Sequence, residues 1–420
     1  MPEVGGTEAS TGAGPIARGS VVRVAAATAL TALCGYAVIY LAARDLAPGG
    51  FSVFGVFWGA FGLVTGAANG LLQEATREVR SAQYMEMVGS RTHPLRVAAM
   101  VGVAAAVVIA GSSPLWGGRV FVEARWLSVG LLCVGLAGFC LHATLLGMLA
   151  GINQWTQYGA LMVTDAVIRV AVAGATFVIG WGLTGFLWAT VAGATAWLIL
   201  LAASPTARAA ARLLTPGGTA TFLRGAAHSI TAAGASAILV MGFPVLLKLT
   251  STQLGAEGGV IILAVTLTRA PLLVPLTAMQ GNLIAHFVDE RTDRLRALIA
   301  PAAIVGAIGV VGVAAAGLVG PWLLRVGFGA QYLASSALLA WLTAAAVAIA
   351  LLTLTGAATV AAALHRAYAV GWVGATAASG LLLLLPLPLP TRTVVGLLCG
   401  PLVGIGVHLA ALARAGRRAG

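Results

Sequence analysis

Charge is scarce in this sequence: Asp, Glu, Lys and Arg make up 9% of its 420 residues, against about 25% in a soluble domain. With 60% hydrophobic residues and a mean hydropathy of +0.98, that scarcity excludes a solvated globule. Lysine occurs once, at Lys248, so basic charge rests almost wholly on arginine. Together with the abundance of Ala and Gly, this reflects a GC-rich genome rather than any chemistry. The four cysteines, Cys34, Cys133, Cys140 and Cys399, lie in apolar stretches with no CxxC spacing. They read as small hydrophobes rather than as disulfide or metal ligands. No Gly-rich loop ends in Gly-Lys-Ser/Thr, which excludes a nucleotide-driven motor within this chain. No loop carboxylate pair or His-Glu cluster points to hydrolysis or metal catalysis, and no cofactor is expected. The acids expected in outer loops, Asp45, Glu123 and Glu257, are too few for a membrane glycosyltransferase.

What the sequence does contain is long apolar runs. Twelve stretches reach the roughly 17 to 25 residues that a helix needs to cross a bilayer. They centre near 19–42, 51–72, 97–115, 127–149, 158–180, 184–203, 229–250, 258–285, 298–320, 334–362, 369–387 and 393–413. The fold class is therefore an all-α polytopic membrane protein, and little chain remains for a soluble catalytic domain. Residues 1–18 read as a disordered tail, and the helix after them as a first span rather than a removable signal. Arginine sets the orientation. With both termini in the cytoplasm, only Arg44, Arg119, Arg125, Arg325 and Arg392 fall on the outer face, whereas Arg77, Arg80, Arg91, Arg96, Arg208, Arg212, Arg224 and most others fall inside. The net charge of +12 is thus topological, and no nucleic-acid partner is expected. The expected location is the cytoplasmic (inner) membrane.

The longest internal polar gap, 204–228, holds Pro216-Gly217-Gly218 and divides the chain into an N-terminal lobe at 19–203 and a C-terminal lobe at 229–413, with a tail at 414–420. Gly49-Gly50-Phe51 opens a span ending in the charge cluster Glu74–Arg80, and Gly258-Gly259-Val260 opens another ending at Asp289–Arg296. A site between two such halves is the usual transporter arrangement. Gly55, Gly59, Gly62, Gly66 and Gly70 form a small-residue stripe on the second span, a mark of close helix packing. Trp58, Trp155, Trp181, Trp188, Trp322 and Trp341 read as interfacial anchors.

Four charges fall inside spans: Asp165 and Arg169 in the fifth, Lys248 in the seventh and Arg269 in the eighth. A charge at the bilayer centre costs at least about 2.5 kcal/mol, so each is expected to face an interior cavity or a partner. Asp165 and Arg169 are four apart on one helix face, either a neutralising pair or a coupling site. Lys248 lies near the outer end of its span, where its stem can snorkel to the interface. Arg269 has no acid near it in sequence, and Pro271 and Pro275 follow at once. Proline frees backbone carbonyls and kinks a membrane helix, so these two and Pro244 are candidate hinges. An unpaired deep arginine beside a hinge calls for an anionic ligand. Gln280 and Asn282 add amide groups lower on the same helix. His142, His286 and His408 read as packing residues rather than proton carriers.

Gly147-Met-Leu-Ala-Gly151-Ile-Asn-Gln-Trp-Thr-Gln-Tyr158, Val167-Ile168-Arg169 and Gly180-Trp-Gly-Leu-Thr-Gly185 carry a family resemblance. So do Leu46-Ala-Pro-Gly-Gly-Phe51 with Phe54-Gly55, and Gly327-Phe-Gly-Ala-Gln-Tyr332. In order and spacing the chain resembles the polysaccharide-biosynthesis flippases of the multidrug/oligosaccharidyl-lipid/polysaccharide exporter superfamily. The resemblance implies two six-helix lobes in a V around a central cavity, and turnover of polyprenyl-phosphate-linked glycans by alternating access. It also implies glycosyltransferases or a polymerase of the same pathway as partners. The two additional helices of the lipid II branch are lacking. Embedded charge here is mostly basic, unlike the carboxylates of the drug-exporting branch, which favours an anionic substrate at Arg269, Arg169, Lys248, Gln280 and Asn282. Two alternatives stand: a cation-coupled drug or metabolite exporter working through Asp165, and a non-transporting scaffold for wall-synthesis enzymes.

Overall fold

The computed structural model describes residues 18–84, 89–279, 283, 286–287 and 294–419. Gln280 and Asn282 lie outside the described residues, as do 1–17 of the N-terminal tail. The first half contains α1 (Arg18–Asp45), α2 (Pro48–Ala82), α3 (Pro94–Val120), α4 (Arg125–Gly151) and α5 (Trp155–Ile179). Then α6 (Gly182–Ala192) passes through a 3-10 turn, Gly193–Thr195, into α7 (Ala196–Ala203). A short α8 (Pro205–Ala211) leads to α9 (Thr219–Val240), α10 (Phe243–Leu249) and α11 (Gly255–Ala278). After a helical turn at Arg294–Ala297 come α12 (Ile299–Phe328), α13 (Ser336–Ala361), α14 (His365–Leu382) and α15 (Leu389–Ala419).

Local chemistry sets these boundaries. Proline occupies the first turn of α2, α3, α8 and α10, where its missing N–H costs nothing. The Ser204 and Ser335 hydroxyls each accept a backbone N–H, from Ala207 and Leu338 at 3.2 Å, capping the helices that follow. Gly180, at φ +72°, ends α5 in the left-handed conformation.

Among the described residues, ten helices are long and apolar enough to cross a membrane, or eleven when the bent pair α9–α10 is taken as one span. The expected span near 369–387 falls on α14, 18 residues long, whose His365-Arg366 start lowers its apolarity below that mark. The seventh span is broken, bending by 68° between Val240 and Phe243. Helix also begins earlier there, at Thr219, where the sequence reads as loop. Phe222 and Ala226 are buried and give that first turn something to pack with.

The two halves repeat one packing order. In the first, α1 packs on α5, α2 on α4, α3 on α4, and α5 on α6; in the second, α9 packs on α14, α11 on α13, α12 on α13, and α14 on α15. Contact across the halves runs through α2, which touches α9, α10 and α11, and through α1, which touches α11. The glycine stripe of α2 forms this seam. A Cβ at Gly55 would stand 2.7 Å from Ile262 Cγ2, at Gly59 3.0 Å from Pro244, and at Gly66 2.7 Å from Ala237 Cβ, while at Gly70 it would overlap the Ile230 backbone. Only glycine lets the helices come this close.

Candidate functional site: a cavity between the halves

A cavity of about 450 Å³ lies between α1, α2, α5 and α6 on one side and α9, α10 and α11 on the other. Its floor, at the turn between α1 and α2, is sealed by aromatic rings from both halves. Phe51 meets Tyr332 edge to face at 5.8 Å and Phe54 meets Phe186 at 6.0 Å. The Tyr332 hydroxyl donates to the Leu46 carbonyl at 2.8 Å. The Pro48 carbonyl stands against Gly259, where a Cβ would overlap it. From this seal the cavity runs toward the face carrying both chain termini, with Thr28 of α1 and Thr277 of α11 on its walls.

Both deep arginines line this cavity, from opposite halves. Arg169 is neutralised: its Nε and Nη2 donate to the Asp165 carboxylate at 3.0–3.2 Å, and its Nη1 donates to the Thr190 carbonyl at 2.6 Å. The guanidinium also rests over the Phe61 ring, 5.4 Å from its centroid. Gly193 makes room for the pair, since a Cβ there would overlap the Asp165 carboxylate. The 3-10 turn that interrupts the sixth span therefore sits where the ion pair presses into it.

Arg269 is 7% exposed and has no carboxylate within salt-bridge distance among the described residues. Its Nη1 donates to the Val240 carbonyl at 3.1 Å, the last residue before the α9–α10 bend, and its guanidinium lies over Phe243 at 5.3 Å. Its Nη2 is buried without an acceptor. The Tyr36 side chain of α1, also on the cavity wall, stands within electrostatic range of Arg269. Among the described residues, the cavity walls thus carry one positive charge without a counter-ion.

The other expected residues are dispersed. Lys248 is buried away from the cavity, its Nζ 3.3 Å from the Thr252 carbonyl, so it caps its own turn. Pro244 lines the cavity just past the bend. α11 runs on as helix through Pro271 and Pro275 to Ala278. His408 is fully buried, with Thr355 Oγ1 at 3.0 Å and the Tyr368 carbonyl at 3.3 Å. His142 stacks on Phe139. Trp58 lines the cavity and pairs with Phe54 at 5.8 Å rather than anchoring at an interface.

Two features escape the sequence reading. Tyr36 carries no signal beyond being one of two phenols, with Tyr40, in an apolar run. Glu74 is a second buried acid, 2% exposed, bound by Arg77 at 2.6 Å and packed against Gly225 of α9. In sequence it belongs to a charge cluster and reads as surface.

No family profile matches the chain. It is 78% identical over 421 residues to the uncharacterized protein Rv3630 of Mycobacterium tuberculosis (strain ATCC 25618 / H37Rv), covering 99% of this chain and 98% of that protein. To the uncharacterized protein Rv1510 of the same strain it is 75% identical over 415 residues, covering 99% and 96%. Among solved structures it is similar to the inward-facing conformation of a multidrug resistance MATE family transporter of the MOP superfamily, with a TM-score of 0.70, 15% identity and coverage of 94% of this chain and 98% of that one. The outward-facing conformation gives 0.63 at 15% identity, covering 94% and 96%. A MOP superfamily transporter from Pyrococcus furiosus, described by the reverse polarity of its binding pocket, gives 0.59 at 15%, covering 94% and 96%. The chain has the fold of these transporters, and it belongs to the same family as Rv3630 and Rv1510 of M. tuberculosis.

Proposed function

We propose that this chain is an alternating-access transporter of the cytoplasmic membrane, both termini inside, that carries polyprenyl-phosphate-linked saccharides outward. The observation that carries the reading is Arg269. A buried guanidinium with no counter-ion among the described residues and one unsatisfied nitrogen, on the wall of a cavity between two halves, is a site suited to an anion. Guanidinium stays charged in low dielectric and offers two donors to phosphate oxygens. The cavity volume is within the roughly 300–1,000 Å³ of small-molecule sites, which suits a sugar-phosphate headgroup while the prenyl tail stays in lipid. Arg169 has its charge spent on Asp165 and shapes the opposite wall. Lys248 has no part in the site as proposed.

The test is flipping of a fluorescent prenyl-phosphate sugar in proteoliposomes. Loss of a charge-assisted hydrogen bond costs about 1.5–3 kcal/mol, so Arg269→Ala should slow turnover by about 10- to 100-fold with membrane insertion unchanged. Arg269→Lys should be nearly as slow, because a point charge replaces a fork. Wild-type flipping by both variants would remove Arg269 from the site. A cation-coupled drug exporter is the second reading, favoured by the multidrug transporters that share the fold. Export of cationic dyes lost in Asp165→Asn but retained in Arg269→Ala would establish it instead.

A further inference from the structure

A second, smaller cavity, about 340 Å³, opens on the face that carries the termini, away from the central cavity. It is built by a small piece of sheet. Strand β1 (Arg91–Thr92) pairs antiparallel with β2 (Thr215–Pro216), and the Thr92 hydroxyl donates to the Gly217 carbonyl at 2.8 Å. This clamp fixes the segment before α3 against the segment before α9. Arg91, His93 and Arg96 line one side, and Leu214 and Thr219 the other. Among the described residues neither arginine has an acid partner. The His93 Nδ1 is buried without a hydrogen-bond partner. Two helices of 27 and 22 residues begin at its rim, and neither N-cap, His93 nor Gly218, offers a side-chain cap. Their dipoles add to the positive potential. On the membrane side the cavity passes onto Met100. Met100, Val103 and Val107 are 54%, 60% and 65% exposed, a continuous apolar strip on one face of α3.

We propose that this pocket binds the phosphate of an anionic membrane-lipid headgroup, with the acyl chains lying along Met100, Val103 and Val107 of α3. Cations and helix N-termini at the end of an apolar helix face give the headgroup and the tail complementary surfaces at once. A soluble phosphate would use only the first. The pocket joins residues of both halves, since Thr219 opens the seventh span while Arg91 precedes α3 and Arg96 lies in its first turn. A bound headgroup therefore bridges the halves on this face.

The test uses the purified full-length protein in detergent, titrated with phosphatidylglycerol, phosphatidylcholine or inorganic phosphate. Retained lipid is read by native mass spectrometry, alongside the thermal midpoint. Phosphatidylglycerol should be retained in preference to phosphatidylcholine and should raise the midpoint. Its affinity should fall at least about tenfold in Arg91→Gln/Arg96→Gln, and should not change in Arg414→Gln/Arg417→Gln, which neutralises two exposed arginines elsewhere on the same face. If the double variant fails to fold, Arg96→Gln alone should lower affinity at least threefold. Equal phosphatidylglycerol affinity in wild type and the pocket variants overturns the proposal. Equal retention of phosphatidylcholine overturns it as well. Displacement of phosphatidylglycerol by inorganic phosphate at matching concentrations assigns the pocket to a soluble anion and overturns the lipid assignment.

Discussion

The Asp165–Arg169 pair separates a structural ion pair from a coupling site, and its energetics follow from the geometry. The two side chains are 12% and 14% exposed, joined by three hydrogen bonds, and held by the Thr190 carbonyl and the gap at Gly193. Removing one partner of a buried pair costs about 3–5 kcal/mol, because the other charge is left uncompensated. The partial exposure of the pair softens that penalty, and Asn keeps the shape and one acceptor of Asp. Asp165→Asn should therefore lose about 2–3 kcal/mol, and Arg169→Gln a similar amount. Asp165→Asn/Arg169→Gln removes both charges together and should lose no more than either single change, giving a coupling energy of about 2 kcal/mol. Unfolding in mixed micelles with increasing SDS measures each of the four states. Transport by the same proteins in proteoliposomes gives the functional half. The charge-free double variant should flip substrate better than either single variant. Additive losses, with coupling under about 0.5 kcal/mol, would refute the pairing argument. A well-folded double variant with no transport at all would show that Asp165 does chemistry the pair does not explain.

Three further outcomes follow from the same geometry. At Gly70 a Cβ would overlap the Ile230 backbone, whereas Gly306 has open space around it. Gly70→Ala should lower stability by about 1–3 kcal/mol through overpacking, and Gly306→Ala should be neutral or stabilising by up to about 1 kcal/mol; equal midpoints in mixed-micelle unfolding would contradict this. Tyr332→Phe removes the hydrogen bond to Leu46 across the sealed end. It should favour opening there by about 0.5–1.5 kcal/mol, read as faster labelling of a cysteine placed at Phe54. Finally, burial and then the Arg96 charge hold the His93 imidazole below its ordinary value of 6.5. The unfolded chain takes up that proton first, so stability is full above pH 6.5 and declines as pH falls toward the folded value. His93→Gln should flatten the acid side of the thermal-midpoint profile, and an unchanged slope would place the titrating group elsewhere.

Ten or eleven of the twelve expected spans, and their order, were legible because apolar run length is set by bilayer thickness, independent of how helices pack. The break in the seventh span was also legible, through Pro244, but its 68° angle was not. That angle decides the fate of Lys248. The residue lies past the bend, on α10, so its direction depends on a rotation that no local pattern encodes, and it ends on the Thr252 carbonyl. Arg269 lies along the uninterrupted α11, and its depth in an apolar run was enough to place it on a cavity. Glu74 shows the opposite failure. Its neighbours Arg77 and Glu78 make it look solvated, and only the approach of Gly225 on a distant helix buries it. The β1–β2 clamp was invisible for the same reason: two-residue strands have no periodicity to read, and their pairing spans more than a hundred residues of sequence.

The glycine stripe on α2 would let the halves move at small energetic cost, as the proposed transport requires. In lipid there is no hydrophobic force to hold helices together, since the tails are as apolar as leucine, so a helix seam is held by packing and by hydrogen bonds. Along Gly55, Gly59, Gly62, Gly66 and Gly70 the contact is between the α2 backbone and small or aliphatic groups of α9, α10, α11 and the bend at Met241. At the sealed end the Tyr332–Leu46 hydrogen bond joins the halves, with a net value of about 1 kcal/mol. The remaining resistance there comes from edge-to-face contacts such as Phe51–Tyr332, worth about 0.5–1.5 kcal/mol each beyond area. Closure is thus a matter of a few kcal/mol. A phosphate that binds Arg269 better in one conformation than the other, by about 1.5–3 kcal/mol, shifts the equilibrium by about 10- to 100-fold. On the proposed reading, Arg269, the one cavity charge without a counter-ion among the described residues, is sufficient to couple binding to the movement of the halves.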